Sequence, residues 1–457
     1  ATSLLQSAAS STTTGDELLE PTPEALQKKI DEIGFGPFQI LMVVCCGGIM
    51  ASEGSEVNVM GSITTLLAGQ WGLGAFVRAF MTSIVFVGFA CGGLLSGYIG
   101  DSFGRRPAIL LAYAVIFSAG LLTSLSESPV VMVCIRIFVG FGCGIGFPSV
   151  YSFIPEVTPV YLRGAKTAVM ISFMPLGEFY SSLGVFLLDK NLLGTTVLGY
   201  SSWRALIQWS CIPPFFLFWL SFFFLEESPH FLLSRGRIVE LNEVLAGMAR
   251  WNNAPNVNTS FSLDLPEASA RSSSAKKEEN KFSWGDAMAE AFSGAFIRTT
   301  LFLGLANFTK DFAYFGLGYV FPQYFQETAG KLPVGLEMMI ISLLAIPGVL
   351  AATILTRMQS IGHITCLSLT GTLTGLASFG LLDFIHWSVS AYFVKFFAMT
   401  YFIVVIVYNS EVFPTRIRNS AIGVCTGMGR LGSISSPILF ELLKRVTASF
   451  DPWWCIL

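Results

Sequence analysis

Eleven stretches of mostly apolar residues dominate this chain, near 38–62, 76–99, 107–126, 129–153, 166–188, 205–225, 299–321, 336–356, 363–383, 388–409 and 420–442. Each is close to the roughly 20 residues that a helix needs to cross the hydrocarbon of a bilayer. Lipid offers no water to a free peptide group, so such runs are expected to be helices bonded internally. The expected fold class is an all-α membrane protein. Only 12% of the 457 residues are charged, against about 25% in soluble domains. The chain reaches "VTASFDPWWCIL" where a twelfth span would only be starting, so that span is expected to be absent or truncated.

The polar stretches divide the chain. Residues 1–36 are rich in Ser, Thr, Pro and charge and are expected to be a disordered tail with a short helix near Pro23–Ile33. Between the sixth and seventh runs lies a segment of about residues 226–297, whose middle, "EASARSSSAKKEENK", reads as a solvated linker with short helices. The expected domains are a six-helix bundle over 37–225, that linker, and a second bundle over 298–457 with five clear spans. An internal repeat supports two pseudo-symmetric halves. "EVTPVYLRG" begins at Glu156 after the fourth run, and "EVFPTRIRN" begins at Glu411 after the tenth, 255 residues later.

Positive charge orients the chain. Lys28, Lys29, Arg235, Arg237, Arg250, Arg271, Lys276, Lys277 and Lys281 lie in the tail and linker, with Arg105, Arg106, Arg163, Arg357, Arg416 and Arg418 on the same side. The other side holds Arg78, Lys190, Lys331, Lys444 and Arg445, so tail and linker are expected to be cytoplasmic. A net charge of −3 gives no sign of nucleic-acid binding. The nine cysteines fall nearly all within apolar runs and show no metal-ligand spacing, which makes them small core residues. Neither a phosphate-cradling G-x-x-x-x-G-K-[ST] nor a nucleophile elbow is found. The chain is not expected to be an enzyme, to pump at the expense of a nucleotide, or to need a cofactor or metal.

The charged residues near and within the spans carry the function. Gly97, Asp101, Gly104, Arg105 and Arg106 read G-x-x-x-D-x-x-G-R-R between the second and third spans. Arg136 with Gly140, Gly142, Gly144 and Gly146 gives R-x-x-x-G-x-G-x-G in the fourth, Trp203-Arg204 opens the sixth, and "EESPHFLLSRGR" follows it. Glu53 and Glu56 lie mid-span in the first run, three apart and so on one helical face. Glu178 is a further acid in the fifth run, Lys310 and Asp311 are adjacent in the seventh, and Lys395 is in the tenth, near Arg136 plus the repeat offset. Ionisable residues at such depth are functional candidates, with interhelical pairing as the plainer role. Tyr314, Phe315, Tyr319 and Phe321 line a pocket or pack the core.

The loop motif resembles the signature of the major facilitator superfamily, and the elements around it resemble its sugar-porter-like branch. Within that branch "IDEIGFGPFQ", "TSIVFVG", "FAYFGL" and "EVFPT" are most similar to the synaptic-vesicle-2-related (SVOP-like) transporters, neighbours of the organic ion transporters. The resemblance covers about residues 30 to 442. It departs at Ser102, where a basic residue is usual, and at Glu226 and His230 in "EESPH". The matching loop of the second half, "TRMQSIGH", has lost its acid and its arginine pair.

The resemblance implies a secondary active transporter that moves a small organic solute, an organic ion or a sugar-like molecule, by alternating access. It makes Gly97, Asp101, Gly104, Arg105, Arg106, Glu156, Arg163, Glu411 and Arg418 a gating set. Opposite charges there can hold helix ends together in one state and part in the other; a positive-inside anchor is the plainer role for the arginines. It also implies an acid of the first span facing the arginine of the fourth, a pairing linked to proton coupling. Burial favours the protonated carboxylate and a neighbouring arginine the ionised one, so Glu53 or Glu56 with Arg136 is the coupling candidate. Glu178, Asp311 and Lys395 join them as substrate or coupling candidates. Expected partners are the lipid bilayer, a small organic solute and, as a candidate coupling ion, protons. A receptor or assembly partner with a transporter fold is the competing reading, favoured by the eroded second loop.

Overall fold

Prolines, glycines and short polar residues set where the helices begin and end. The computed structural model describes residues 21–188, 196–197, 200–261, 290, 292–294, 296–327, 332–358, 362–380, 387–413 and 418–446. Lys190, Arg271, Lys276, Lys277, Lys281, Lys331, Arg416, the tail to residue 20 and the stretch from 447 onward lie outside the described residues.

α1 (Pro23–Ile33) is capped by Thr22, whose hydroxyl accepts from the Ala25 amide. Its Leu26, Ile30 and Ile33 are buried against the rest of the protein, so this part of the tail is docked. α2 (Pro37–Trp71), α3 (Ala75–Phe103), α4 (Arg105–Ser124) and α5 (Pro129–Val157) follow. The fifth run is split at Ser172 into α6 (Arg163–Ile171) and α7 (Phe173–Leu188). The sixth is split at Cys211 into α8 (Ser202–Ser210) and α9 (Ile212–Phe224), before which β1 (Thr196–Val197) and β2 (Tyr200–Ser201) pair as a small antiparallel hairpin. Pro213 and Pro214 explain the second split, because proline fits the first turn of a helix, where its missing donor is not needed. α10 (Pro229–Ser234) and α11 (Ile238–Trp251) lead toward α12 (Ile297–Glu327), α13 (Val334–Arg357), α14 (His363–Gly380), α15 (Trp387–Val412) and α16 (Arg418–Val446).

The helices coincide with the eleven expected runs, and among the described residues the fold is all-α apart from the hairpin. Eight described segments are long and apolar enough to cross a membrane: those in α2, α3, α4, α5, α6–α7, α8–α9, α13 and α15. α14 offers a shorter apolar stretch, Ile364–Ala377. α12 and α16 are the helices that bring Lys310, Asp311, Arg430 and Glu441 inside.

Glycine decides how closely the helices approach. A side chain at Gly140 would place Cβ 2.7 Å from the Val85 carbonyl carbon, and one at Gly144 would place it 2.9 Å from Gly92 Cα, so both glycines face α3. The alternate pair face the other way: Gly142 lies against Ile116 of α4, and Gly146 against Ala112 of α4 and Ile49 of α2. The R-x-x-x-G-x-G-x-G pattern thus wedges α5 between three helices, against the backbone of α3 and against side chains of α4 and α2. Early and late helices meet through α3 with α16, α2 with α12 and α7 with α13. The outer face of α9 exposes Phe216, Trp219 and Phe223, as expected for a surface bathed in lipid.

Candidate functional site

Among the described residues, the bundle buries four carboxylates (Glu53, Glu56, Glu178, Asp311) beside four cations (Arg136, Lys310, Lys395, Arg430) at mid-depth, and the packing selects which meet. Arg136, fully buried on α5, donates to Glu56 on α2, and Ser210 Oγ donates to the same carboxylate at 3.2 Å. Glu53, one turn earlier, is turned instead toward α16. Its Oε1 lies 3.8 Å from Arg430 Nη1, and Arg430 Nη1 is also 3.8 Å from Asp311 Oδ2. Lys310 bonds to the other oxygen of Asp311 and sits 4.2 Å from the centre of the Phe402 ring. One turn further along α12, Glu178 Oε1 accepts from Lys395 Nζ at 2.9 Å and from Tyr314 Oη at 2.8 Å.

The Glu53 cluster is the least satisfied of these. Both oxygens of Glu53, Oδ2 of Asp311, and Nε and Nη1 of Arg430 are buried without a hydrogen-bond partner. A contact of 3.8 Å is close enough for strong Coulomb attraction in a low dielectric and too long for a hydrogen bond. Arg430 is meanwhile stacked on aromatic rings, 3.6 Å from the Phe89 centroid and about as far from Phe315 (5.5 Å) as from Phe147 (5.6 Å). Buried polar groups normally find partners, and the unpartnered atoms of this aromatic-walled cluster are an exception to that rule.

The pairing of the fourth-span arginine thus falls to Glu56, while Glu53 faces Arg430. Lys310 and Asp311, adjacent on α12, are both buried and bonded to each other, where sequence spacing required only one to face inward. Arg430 and Glu441 went unnoticed in the sequence; an arginine within "TGMGRLGS" of an otherwise apolar run was the available signal. Tyr314, Phe315, Tyr319 and Phe321 are all buried, the first two at this cluster.

The loop motif forms a second charged layer, at the end of the bundle where α10 and α11 dock. Gly104 ends α3 with φ +110°, a conformation open mainly to glycine, which turns the chain directly into α4. Arg105 bonds to the Gly100 carbonyl at 2.6 Å and to Asp101 at 2.8 Å, and reaches Glu156 at 3.5 Å. Glu227 caps α4, accepting from the backbone amides of Arg105 (2.8 Å) and Arg106 (3.3 Å). Glu156 also accepts from Ser228 Oγ, and its carbonyl lies 3.0 Å from His230 Nδ1, which therefore carries the ring proton. Arg235 donates to the Asp101 carbonyl.

Three expected members behave differently. Among the described residues Arg163 makes no ion pair; it donates to the Pro155 carbonyl at 3.0 Å and to Gln27 of α1. Arg106 sends its guanidinium to the Phe222 carbonyl at 2.9 Å, not to an acid. Gly97 faces open space, with nothing within 4 Å of the position a Cβ would take. The side chains of Glu411 and Arg418 lie outside the described residues, although Glu411 falls near the end of α15 and Arg418 opens α16. Glu227 carries no local sequence signal for this role, because the α4 amides that it caps lie more than 120 residues away in the chain.

An all-α bundle with buried charge pairs at mid-depth and a charged layer at one end defines a multi-pass membrane transporter of the major facilitator type. The chain belongs to the sugar (and other) transporter family, whose sequence profile matches residues 42–446. It is 25% identical to the Organic cation/carnitine transporter 7 of Arabidopsis thaliana, with 89% of this chain and 86% of the relative covered. It is 24% identical to the Synaptic vesicle 2-related protein of Xenopus laevis, with 94% of this chain and 78% of that protein covered. In fold it is similar to the xylose transporter XylE from E. coli in a partially occluded inward open conformation. The TM-score is 0.67 at 19% identity, over 92% of this chain and 94% of that one.

Proposed function

We propose that this protein is a secondary transporter that moves a small organic ion by alternating access, with Glu53 as the proton-coupling carboxylate. The observation that carries the reading is the cluster of Glu53, Asp311 and Arg430, which draws on three helices from both ends of the chain and leaves buried acceptors and donors unpartnered. A charged solute entering there gains a counter-charge and aromatic walls. As it displaces Arg430, Glu53 loses its nearest cation, and its preference for a proton changes. Binding of one species is thereby linked to the other. A relative named for organic cation and carnitine transport supports an organic ion as the cargo.

In this reading the helices of 37–225 and of 298–457 are two halves that rock about the midplane cluster, joined by the segment 226–297. The excess of Lys and Arg on that side supports a cytoplasmic location for the segment and the tail. The layer of Asp101, Arg105, Glu156 and Glu227 then ties together the cytoplasmic ends of the first half, and by the sequence repeat Glu411 is the second half's match to Glu156. Glu56, Arg136, Glu178 and Lys395 keep the flanking helices in register around the site.

The test is uptake by the reconstituted chain over a panel of organic ions and sugars, with and without a pH gradient. Glu53→Gln should abolish gradient-driven accumulation and retain solute exchange. Unchanged accumulation would overturn the coupling role, and no uptake of any solute by a well-folded protein would overturn the transport reading.

A further inference from the structure

The end of the bundle away from the docked α10 and α11 carries its own charged contact, and it joins early helices to late ones. Arg78 of α3 donates to Glu441 of α16, and Tyr319 of α12 donates to the same Glu441 oxygen at 2.7 Å. Arg78 lies 23 residues before Asp101 on one continuous helix, which at about 1.5 Å per residue sets the two charges roughly 35 Å apart along it. The contact is therefore a layer separate from the Asp101 cluster, and it lies beyond the midplane site: Tyr319 is eight residues past Asp311 on α12, and Glu441 eleven past Arg430 on α16.

Its surroundings close the bundle at that level. Ser83 Oγ donates to the Ile434 carbonyl at 2.8 Å, tying α3 to α16. A Cβ on Gly61 of α2 would lie 3.2 Å from Pro322 of α12, and one on Gly318 would lie 3.1 Å from Val57. Gly335, at the start of α13, faces the backbone of Phe186 near the end of α7, with its Cβ position 2.6 Å from the Phe186 amide nitrogen. By contrast, the partners described above for Asp101, Arg105, Arg106, Glu156 and Glu227 all fall within residues 100–235.

We propose that Arg78, Glu441 and Tyr319 form a gate that shuts the solute site from the side opposite α10 and α11, and that must part for the site to open there. The choice of groups fits such a role. An apolar seam would resist water, whereas a buried ion pair gains little net stability and its charges are readily solvated once water enters. Helices α12 and α16 carry both the gate and the solute-site residues Asp311 and Arg430, so a shift of either helix on loading reaches both layers. The inference rests on the alternating-access reading, and its test needs no solute.

The experiment is hydrogen–deuterium exchange of the full chain in lipid nanodiscs, read on peptides covering residues 75–83 and 437–446. Arg78→Glu and Glu441→Arg should each raise early exchange there on the order of tenfold, because each leaves like charges facing in a buried place. The swap carrying both changes should return exchange toward wild type. Tyr319→Phe, which removes one hydroxyl and keeps the ring, should give an intermediate rise and covers the case in which a charge variant fails to fold. Wild-type exchange in Tyr319→Phe together with no recovery in the swap would overturn the gate. The expected exchange pattern in a chain that transports nothing would overturn the transport reading and reduce Arg78, Glu441 and Tyr319 to a structural tie, whereas a transporting chain with neither response would overturn the gate alone.

Discussion

Arg136 of α5 is bonded to Glu56 of α2, while Glu53 on the same helix is left to Arg430 at 3.8 Å. Two acids a turn apart are thereby given different tasks. Glu56 is neutralised and hydrogen-bonded, the arrangement of a fixed strut. Glu53 faces a cation on a different helix at 3.8 Å, too far for a hydrogen bond, and both its oxygens are left without a hydrogen-bond partner.

The strut has a measurable cost of removal. Arg136→Leu strands the Glu56 charge in the interior, which is expected to destabilise the fold by about 3–5 kcal/mol. Glu56→Leu combined with Arg136→Leu should recover most of that loss. Thermal unfolding in detergent reads both; a single variant that melts with wild type would show that Glu56 does not depend on Arg136.

Glycines of one motif separate cleanly from those of another. Gly140→Ala pushes a methyl group to within 2.7 Å of the Val85 carbonyl carbon and should cost about 1–3 kcal/mol by forcing α5 off α3. Gly97→Ala meets open space on α3, and should be neutral or stabilising by up to about 1 kcal/mol through helix propensity. The two melting curves should shift in opposite directions or not at all for the second. A loss in Gly97→Ala matching that of Gly140→Ala would contradict the packing described.

Glu227→Ala removes the cap of α4 and its bond to the Ser228 amide. A loss of about 1 kcal/mol is expected, together with faster proteolysis after α9, since the same carboxylate holds α10 in place. The exposed neighbour Glu226 makes the control: Glu226→Ala should cleave at the wild-type rate.

His230 makes docking of α10 sensitive to acid. Burial, helped by the charge of Arg163, holds its imidazole below the ordinary value of 6.5, and Glu156 partly offsets this. The folded chain thus binds fewer protons on this ring than the unfolded one, so its contribution to stability is present above about pH 6.5 and is lost as the pH falls below that value. Between about pH 7 and about pH 5 the wild-type melting temperature should fall more steeply than that of His230→Gln. Parallel pH profiles would show that the ring is not responsible.

Much of this architecture was open to direct reading. The eleven runs became the helices α2 to α9 and α12 to α16 because the demand for about 20 apolar residues acts locally, residue by residue. The helix Pro23–Ile33 appears with those bounds because its cap and proline are local signals too. Asp101, Gly104 and Arg105 could be grouped in advance because a tight turn keeps sequence neighbours together.

The sequence by itself determined that this chain is a multi-span helical membrane protein, where its spans lie, and which residues carry charge into them. Only the tertiary structure decided which charges meet. Glu53 finds Arg430 and leaves Arg136 to Glu56, Arg163 turns to α1, and Arg78 finds Glu441 at a separation of 363 residues. Hydropathy sets that a segment is a helix and is blind to its rotation about its own axis. That rotation is fixed by glycine-to-backbone contacts between distant helices, and a turn of one residue, about 100°, is enough to hand a buried carboxylate from one cation to another.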